Sequence, residues 1–189
     1  MRVGVLSIQG SVREHIEKLK QIEGVEPIET KGKETLLSLD ALIIPGGESS
    51  AIGKMIEDFD LKDAIIELNN RGIPIWGTCA GMILMAKHIV NDDKVYLGIM
   101  DITVKRNAYG SQLDSFKAKL MIPAVSNNEI EAVFIRAPYI EGVGEDVRIL
   151  AKYDNKIVAA QQANLLATSF HPELTDDLSF YRFFLGINR

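Results

Sequence analysis

The sequence has one cysteine, no long apolar run and no tract of basic residues, and each absence excludes a class of protein. A lone cysteine, Cys79, cannot form a disulfide within the chain, which is typical of proteins in a reducing cytoplasm. No apolar stretch reaches the roughly 20 residues of a membrane-spanning helix. The net charge of −5 argues against a nucleic-acid surface. We therefore expect a cytoplasmic protein that binds neither membranes nor nucleic acids.

Two ligand-binding patterns are also missing. The stretch that begins at Gly47 resembles a phosphate-binding loop, but five residues separate it from Gly53, where the motif has four. The single cysteine and three scattered histidines lack the spacing of zinc ligands. We therefore expect no metal site and no cofactor. His15 and His88 lie in predicted helices without a partner motif, and we interpret them as surface or packing residues.

Short apolar runs alternate with amphipathic segments through the first half of the chain. Strands are predicted at 3–8, 25–29, 41–44 and 73–76, and helices at 12–22, 51–57, 61–70 and from 82 to 87. This alternation is typical of a parallel sheet covered by helices on both faces. Ser11 and Glu14 have the spacing of a capping box at the start of the first helix. Later strand-like runs, separated by turns, predict a short antiparallel extension within a single domain, residues 1–189.

Residues 72–88 join a short apolar strand to a helix through a sharp turn centred on Cys79. In Gly77-Thr78-Cys79-Ala80-Gly81, a small residue stands two positions on either side of the cysteine. This is the layout of a nucleophile elbow, with cysteine where hydrolases carry serine. The N-terminus of the following helix offers unpaired N–H groups and a partial positive charge, which favour a thiolate. We interpret Cys79 as a nucleophile and not as a buried core residue.

Two other loops follow predicted strands, and loops of this kind collect at the carboxyl edge of a parallel sheet. In His171-Pro172-Glu173, residues two apart point to the same side, so Glu173 can orient His171 while His171 takes the thiol proton. Gly46 and Gly47 follow the third strand and can turn main-chain N–H groups toward an oxyanion. Glycine pairs alone usually mark turns, so this loop indicates a functional site only in combination with the two loops that carry Cys79 and His171.

Together these motifs resemble the class I, triad-type glutamine amidotransferases, and the resemblance covers essentially the whole chain. Within the class, the sequence is most similar to the glutaminase subunits of pyridoxal phosphate (vitamin B6) synthase. This narrower resemblance depends on residues 4–10 with 13–15, 46–50, 106–110 with 114–116, and 134–138. Ser111 stands where an arginine is expected in this branch. The resemblance implies an α/β, flavodoxin-like fold with a mostly parallel open sheet.

The resemblance also implies a reaction, the hydrolysis of L-glutamine to L-glutamate and ammonia through a glutamyl thioester. Cys79 would be the nucleophile, His171 the base, and Glu173 the group that orients the base. Main-chain N–H groups of Gly47 and Ala80 would form the oxyanion hole. The glutamine-binding positions implied by the family are Gly47, Glu48, Ser49, Arg106, Ile135 and Arg136. An arginine is well shaped to bind the α-carboxylate of the substrate.

The resemblance implies a protein partner as well, a separate (β/α)-barrel synthase subunit that receives the ammonia in a large hetero-oligomer. We expect the Gly46-Gly47 loop to be catalytically ordered only on docking. Alternatives are the glutaminase subunit of another enzyme such as imidazole glycerol phosphate synthase, a hydrolase of γ-glutamyl peptides, or a pseudo-glutaminase that only binds a partner. The intact set of Cys79, His171 and Glu173 argues against the last, because decayed sites usually lose one member of such a unit.

Overall fold

Six helices and a short 3₁₀ turn occur in the residues that the computed structural model describes, which are 1–107 and 115–187. The helices are α1 (Val12–Leu19), α2 (Lys33–Leu37), α3 (Ser49–Asp58), α4 (Lys62–Asn70), α5 (Ala80–Met85) and α6 (Ser179–Leu185), and the 3₁₀ turn is Pro172–Leu174. The longest has ten residues, and none of these helices could cross a bilayer. Ser111 and residues 108–110 and 114 of the family motif lie outside the described residues.

Twelve strands in the same part of the chain form one large sheet and one separate pair. The strands are β1 (Arg2–Leu6), β2 (Glu26–Thr30), β3 (Ala41–Ile44), β4 (Ile75–Thr78), β5 (Ala86–Ile89), β6 (Met100–Lys105), β7 (Ser115–Met121), β8 (Glu129–Ile135), β9 (Tyr139–Val143), β10 (Arg148–Tyr153), β11 (Lys156–Gln162) and β12 (Leu165–Thr168). In the large sheet, β2, β1, β3, β4 and β12 lie side by side in that order and run parallel. The sheet continues through β11, β9 and β6 in antiparallel pairs, while β5 lies parallel to β6 and β10 pairs with β11. The predicted fold class, a mostly parallel open sheet with an antiparallel extension, is confirmed.

The strand order brings the three sequence motifs to one edge of the sheet. Strands β3, β4 and β12 are direct neighbours and run in the same direction. Gly46 follows β3, Cys79 follows β4, and His171 follows β12, so the three loops leave adjacent strand ends. Convergence of distant sequence segments at this edge is therefore a direct consequence of the parallel pairing.

Apolar layers cover both faces of the large sheet. In β3, Leu42 and Ile44 pack with residues of α2 to α5 on one face, whereas Ala41 and Ile43 pack with residues of α1 and α6 on the other. This alternation follows from the two-residue period of a strand. On the second face, the fully buried Trp76 contacts the aromatic rings of α6. Burial of one such side chain contributes about 1.5–3 kcal/mol. The packing of Trp76 against these rings therefore holds α6 beneath the edge of the sheet from which the loops leave.

Two element predictions are wrong. The sequence predicts a helix from Met82 to Lys87, but α5 ends at Met85 and the chain continues as β5, with His88 exposed on this strand. Residues 86–89 favour a helix locally, yet pairing with β6 satisfies their backbone groups in the sheet and outweighs that preference. Strand β9 was not predicted because Gly142 interrupts its apolar pattern.

Candidate active site

Cys79 occupies a strained bend between β4 and α5. Its φ of 49° and ψ of −103° lie outside the common regions for an L-residue, at a cost on the order of 1–3 kcal/mol. The Cys79 N–H donates to the carbonyl of Thr168 at 2.8 Å, which ties the bend to β12. A Cβ added at Gly81 would lie 2.0 Å from the carbonyl oxygen of Ile44, so α5 can approach β3 only with glycine there. The predicted strand–turn–helix layout is therefore confirmed.

The structure brings His171 next to Cys79, although the two residues are distant in sequence. Both side chains line the same cavity, and Nδ1 of the ring lies 2.7 Å from Glu173 Oε1, which leaves Nε2 as the nitrogen available to the sulfur. Gly46 lies against both side chains, since a Cβ added there would be 2.5 Å from His171 Cε1 and 3.4 Å from Cys79 Cβ. The His171 N–H donates to the carbonyl of Val133 at 2.8 Å, which positions the ring from β8.

The pKa values of His171 and Glu173 depend on each other, because each group stabilises the charged form of the other. Burial alone would lower the pKa of His171, but hydrogen bonds with Cys79 and Glu173, and attraction to their negative charges, raise it to about 10. Burial alone would raise the pKa of Glu173, whereas attraction to the imidazolium of His171 and hydrogen bonds from His171 and Ser11 lower it. The arrangement therefore favours an imidazolium at His171 and a carboxylate at Glu173 at neutral pH.

His15 has a partner that the sequence interpretation missed. It is fully buried behind the triad, with Nε2 3.5 Å from Glu173 Oε2 and 3.2 Å from Thr78 Oγ1, and with Nδ1 2.7 Å from the Tyr181 hydroxyl. Burial lowers the pKa of His15 more than attraction to Glu173 raises it. His15 is therefore neutral at neutral pH, and His171 is the cation that holds Glu173 ionised.

Ser11 does not form the predicted capping box. It stands at the N-cap position of α1, but its side chain makes no capping hydrogen bond. The hydroxyl instead donates to Glu173 Oε1 at 2.7 Å, across 162 residues of sequence. A capping bond would use the hydroxyl oxygen as an acceptor, whereas Glu173 accepts its proton, and a hydrogen bond to a buried carboxylate is the stronger of the two. Glu173 Oε1 thus binds both Ser11 and His171, and the loop after β1 becomes part of the site.

The two residues predicted for the oxyanion hole, Gly47 and Ala80, come from different segments: Gly47 follows β3, and Ala80 begins α5 directly after Cys79. Ala80 is the first residue of α5, so its N–H has no carbonyl one turn earlier within the helix. Gly47 follows β3, and the loop after β1 holds it in place. Gln9 Oε1 accepts the N–H of Glu48 at 3.0 Å, and the Ser11 N–H donates to the carbonyl of Gly46 at 3.0 Å.

A cavity of about 480 Å³ opens over Cys79 and His171. Its volume lies in the range of small-molecule sites. Every predicted site residue except Glu173 lines it, namely Gly47, Glu48, Ser49, Cys79, Ala80, Arg106, Ile135, Arg136 and His171. Glu173 lies behind the imidazole and is 3% exposed. The lining also includes residues that were not predicted, namely Gln9, Ser50, Ile83, Asn107 and Pro138.

The two predicted arginines differ in their contacts. Arg106 Nη1 lies 2.8 Å from Asp92 Oδ2, and Nη2 lies 3.1 Å from the Tyr96 hydroxyl. The side chain of Arg136 is exposed, and within residues 1–107 and 115–187 it makes no hydrogen bond or ion pair. Arg136 is therefore the lining cation whose charge is not already paired in the described stretches. A guanidinium in this state can bind a carboxylate through two parallel hydrogen bonds.

Glu48 uses its carboxylate to cap a helix. Oε1 accepts the N–H of Ser50 at 3.1 Å and Oε2 accepts the N–H of Ala51 at 2.6 Å, so α3 begins at Ser49, two residues before its predicted start. The hydrogen bond from Ala51 is the largest cause that lowers the pKa of Glu48. Glu48 therefore shapes the wall of the cavity, and its charge stabilises the N-terminus of α3.

Comparison with known proteins identifies the family. The sequence model of the SNO glutamine amidotransferase family matches residues 5–187, a range that contains every predicted site residue. The chain belongs to the SNO glutamine amidotransferase family. It is 83% identical over 188 residues to the pyridoxal 5'-phosphate synthase subunit PdxT of Thermoanaerobacter sp. (strain X514), with 100% of each chain covered. It is 76% identical over 188 residues to PdxT of Caldanaerobacter subterraneus subsp. tengcongensis, again with 100% of each covered. A crystal structure described as a glutamine amidotransferase has a TM-score of 0.92 and 42% identity, and the match covers 98% of this chain and 97% of that chain.

Besides the other unpredicted lining residues, three residues near the N-terminus of this glutamine amidotransferase contact the site: Gln9, Ser11 and His15. All three come from the loop after β1 or the first turns of α1. One signal was present in the sequence, because this loop follows a predicted parallel strand and should therefore lie at the same edge as the other loops. The sequence does not reveal which strand neighbours β1, so it could not bring these side chains to Glu173.

Proposed function

We propose that this chain is the glutaminase subunit of a pyridoxal 5'-phosphate synthase and hydrolyses L-glutamine to L-glutamate and ammonia at Cys79. Membership of a glutamine amidotransferase family supports the reaction, and 83% identity to a protein named as a pyridoxal 5'-phosphate synthase subunit supports the assembly. The observation that carries the proposal is that Cys79 and His171 lie together against Gly46 at one cavity, while Nδ1 of the imidazole lies 2.7 Å from Glu173.

In the first half of the proposed reaction, the glutamine amide is converted to a thioester. His171 Nε2 holds the proton of Cys79, and the thiolate attacks the side-chain carbonyl carbon of glutamine. The N–H groups of Gly47 and Ala80 bind the oxyanion that forms, and loss of one such donor typically costs 10²- to 10³-fold in kcat. Collapse of the tetrahedral intermediate breaks the carbon–nitrogen bond. The leaving nitrogen takes the proton from His171, and ammonia departs.

In the second half, water regenerates the enzyme. His171, now neutral, accepts a proton from water as the water oxygen attacks the thioester carbonyl. Glutamate is released when the carbon–sulfur bond breaks, and Cys79 recovers its thiolate beside the imidazolium. Glu173 remains ionised throughout, because its role is to hold Nδ1–H of His171 and to stabilise the positive ring.

For substrate binding, we assign the α-carboxylate of glutamine to Arg136, because its guanidinium is exposed in the cavity and unpaired in the described stretches. Arg106 and Ile135 would complete that wall, with Arg106 held by Asp92. Residues 47–49 would lie against the amide end of the substrate, next to Cys79. This orientation places the scissile amide at the sulfur and the charged end at the arginines.

We assign the use of the ammonia to a separate (β/α)-barrel synthase subunit in a hetero-oligomer. Ammonia released into water is largely protonated and ceases to be a nucleophile, so direct transfer between subunits would preserve its reactivity. Docking would also order the Gly46-Gly47 loop for catalysis. Glutaminase turnover by the isolated chain at the rate of the complex would contradict this part of the proposal.

The test measures glutamate formed from L-glutamine by the chain mixed with its synthase subunit. Cys79→Ala and His171→Ala should each lower turnover to background, while size-exclusion chromatography shows that both variants still bind the synthase. His88→Ala is the matched control, because His88 is exposed on β5 and does not line the cavity. Residual turnover by Cys79→Ala would refute the assignment of the nucleophile.

A further inference from the structure

A buried polar group lies behind Glu173, on the side away from the cavity. His15 of α1, Tyr181 of α6 and Thr78 of β4 are each fully buried, and none of them lines the cavity over Cys79. His15 connects them, with Nδ1 2.7 Å from the Tyr181 hydroxyl and Nε2 3.2 Å from Thr78 Oγ1. Burial of polar groups is costly, so their placement beside a buried carboxylate needs a physical reason.

The two oxygens of Glu173 are not equally bound. Oε1 accepts hydrogen bonds from Ser11 and His171, both at 2.7 Å. Oε2 is buried and has no hydrogen bond of normal geometry with the described residues, but His15 Nε2 lies 3.5 Å from it. A buried carboxylate oxygen without a donor costs free energy, and a small movement of either side chain would close this distance. His15 is thus the donor placed to bind the second oxygen.

The surroundings of His15 select the tautomer that can donate. Burial raises the pKa of Tyr181, so its hydroxyl stays protonated and can donate to His15 Nδ1. A neutral imidazole that accepts at Nδ1 carries its proton on Nε2, which faces both Thr78 Oγ1 at 3.2 Å and Glu173 Oε2 at 3.5 Å. The opposite tautomer would set a nitrogen lone pair against the carboxylate. The titratable groups that face His15 are Glu173 from the 3₁₀ turn, His171 behind it, Tyr181 from α6 and Glu14 on its own helix.

We propose that His15 is a positioning residue for the glutaminase reaction, in which its Nε2–H holds Glu173 Oε2 so that Oε1 stays directed at His171 Nδ1. The inference rests on the proposed function. Without this donor, the carboxylate can rotate about its last bond, and the imidazole loses its orientation toward Cys79. Because His15 does not line the cavity, its loss should lower kcat and leave KM unchanged.

Two substitutions of His15 separate positioning from packing. The amide nitrogen of a glutamine side chain can reach the place of imidazole Nε2, whereas that of asparagine reaches only the place of Nδ1. Steady-state kinetics with L-glutamine use the full chain in complex with its synthase subunit. We expect His15→Asn to lower kcat by about 10- to 100-fold, as loss of a group that orients a catalytic ligand typically does, with KM unchanged. We expect His15→Gln to restore kcat to within about threefold of the parent protein.

A parallel variant covers the case in which His15→Asn fails to fold. Tyr181→Phe removes only the hydroxyl that fixes the tautomer, and it should lower kcat without changing KM. Equal kcat values for the Asn and Gln variants, high or low, would overturn the proposal, and so would a parental kcat for Tyr181→Phe. Cys79→Ala serves as the reference in the same assay. If it is inactive while His15→Asn matches the parent, only the positioning role fails; if Cys79→Ala is active, the proposed function fails and the positioning role fails with it.

Discussion

Replacement of Glu173 by glutamine tests the electrostatic basis of the proposed triad. The variant keeps the size of the side chain but removes the negative charge 2.7 Å from His171 Nδ1. The rise of the His171 pKa from 6.5 to about 10 corresponds to roughly 5 kcal/mol in favour of the imidazolium, shared between Cys79 and Glu173. An opposite charge at this distance typically moves a pKa by about 1–3, so its loss should lower the population of the imidazolium by roughly 10- to 1,000-fold.

A second effect adds to the first in this variant. The glutamine amide can donate to Nδ1, which would place the ring proton on the wrong nitrogen, and the corresponding change in a serine protease triad costs about 10⁴ in kcat. We therefore expect Glu173→Gln to lower kcat by about 10² to 10⁴, with a much smaller change in KM. The rate of Cys79 alkylation by iodoacetamide at neutral pH should also fall, because the neighbouring imidazolium that activates the sulfur is less populated.

The assay for Glu173→Gln is the glutaminase reaction of the complex, with alkylation of Cys79 followed separately by mass spectrometry. Glu67→Gln is a matched control, since Glu67 is an exposed carboxylate on α4 that does not line the cavity. A kcat for Glu173→Gln within about threefold of the parent protein would refute the reasoning, provided that the control is also active. In that case the imidazolium would be stabilised by Cys79 alone, and the carboxylate would have only a structural role.

Three further predictions concern the bend, the substrate and the pH dependence of stability. Gly81→Ala should lower the free energy of unfolding by about 2 kcal/mol or more in urea titrations, because the new Cβ would meet the Ile44 carbonyl, whereas Gly32→Ala, with nothing within 4 Å, should not. Arg136→Met should raise KM for glutamine at least about tenfold, and an unchanged KM would exclude it as the carboxylate ligand. The raised pKa of His171 contributes stability that is fully present below pH 6.5 and is lost as the pH rises through about 10. The difference in unfolding free energy between the parent protein and His171→Asn should therefore shrink between pH 6.5 and 10, and a constant difference would contradict the ion pair.

Several features of the site were predictable because they depend on neighbours in sequence. The bend at Cys79 needs small residues within two positions, and Gly77 and Gly81 provide them. The pairing of His171 with Glu173 was predicted for an extended segment, but residues 172–174 form a 3₁₀ turn, in which the two side chains still meet because they are only two residues apart. Backbone geometry determines such short-range relations, so a pattern of residue types is sufficient to recognise them.

Other features depend on contacts that no local pattern contains. Ser11 and His15 reach Glu173 only because β1 lies next to β3 and α6 packs beneath β4. The pairing of Arg106 with Asp92 leaves Arg136 as the unpaired arginine among the described residues that line the cavity, and this too requires the folded chain. Strand β5 formed where the residue preferences favoured a helix, because a partner strand was available.

Local patterns were sufficient to predict the α/β alternation, the elbow at Cys79 and the two loops that carry Gly47 and His171, since periodicity, glycine placement and residue spacing act over a few positions. The tertiary structure alone decided which strands became neighbours, and with that which side chains surround the carboxylate of Glu173. The physical reason is that the charge state of a buried group is set by desolvation and by donors within a few ångströms, whatever their separation along the chain.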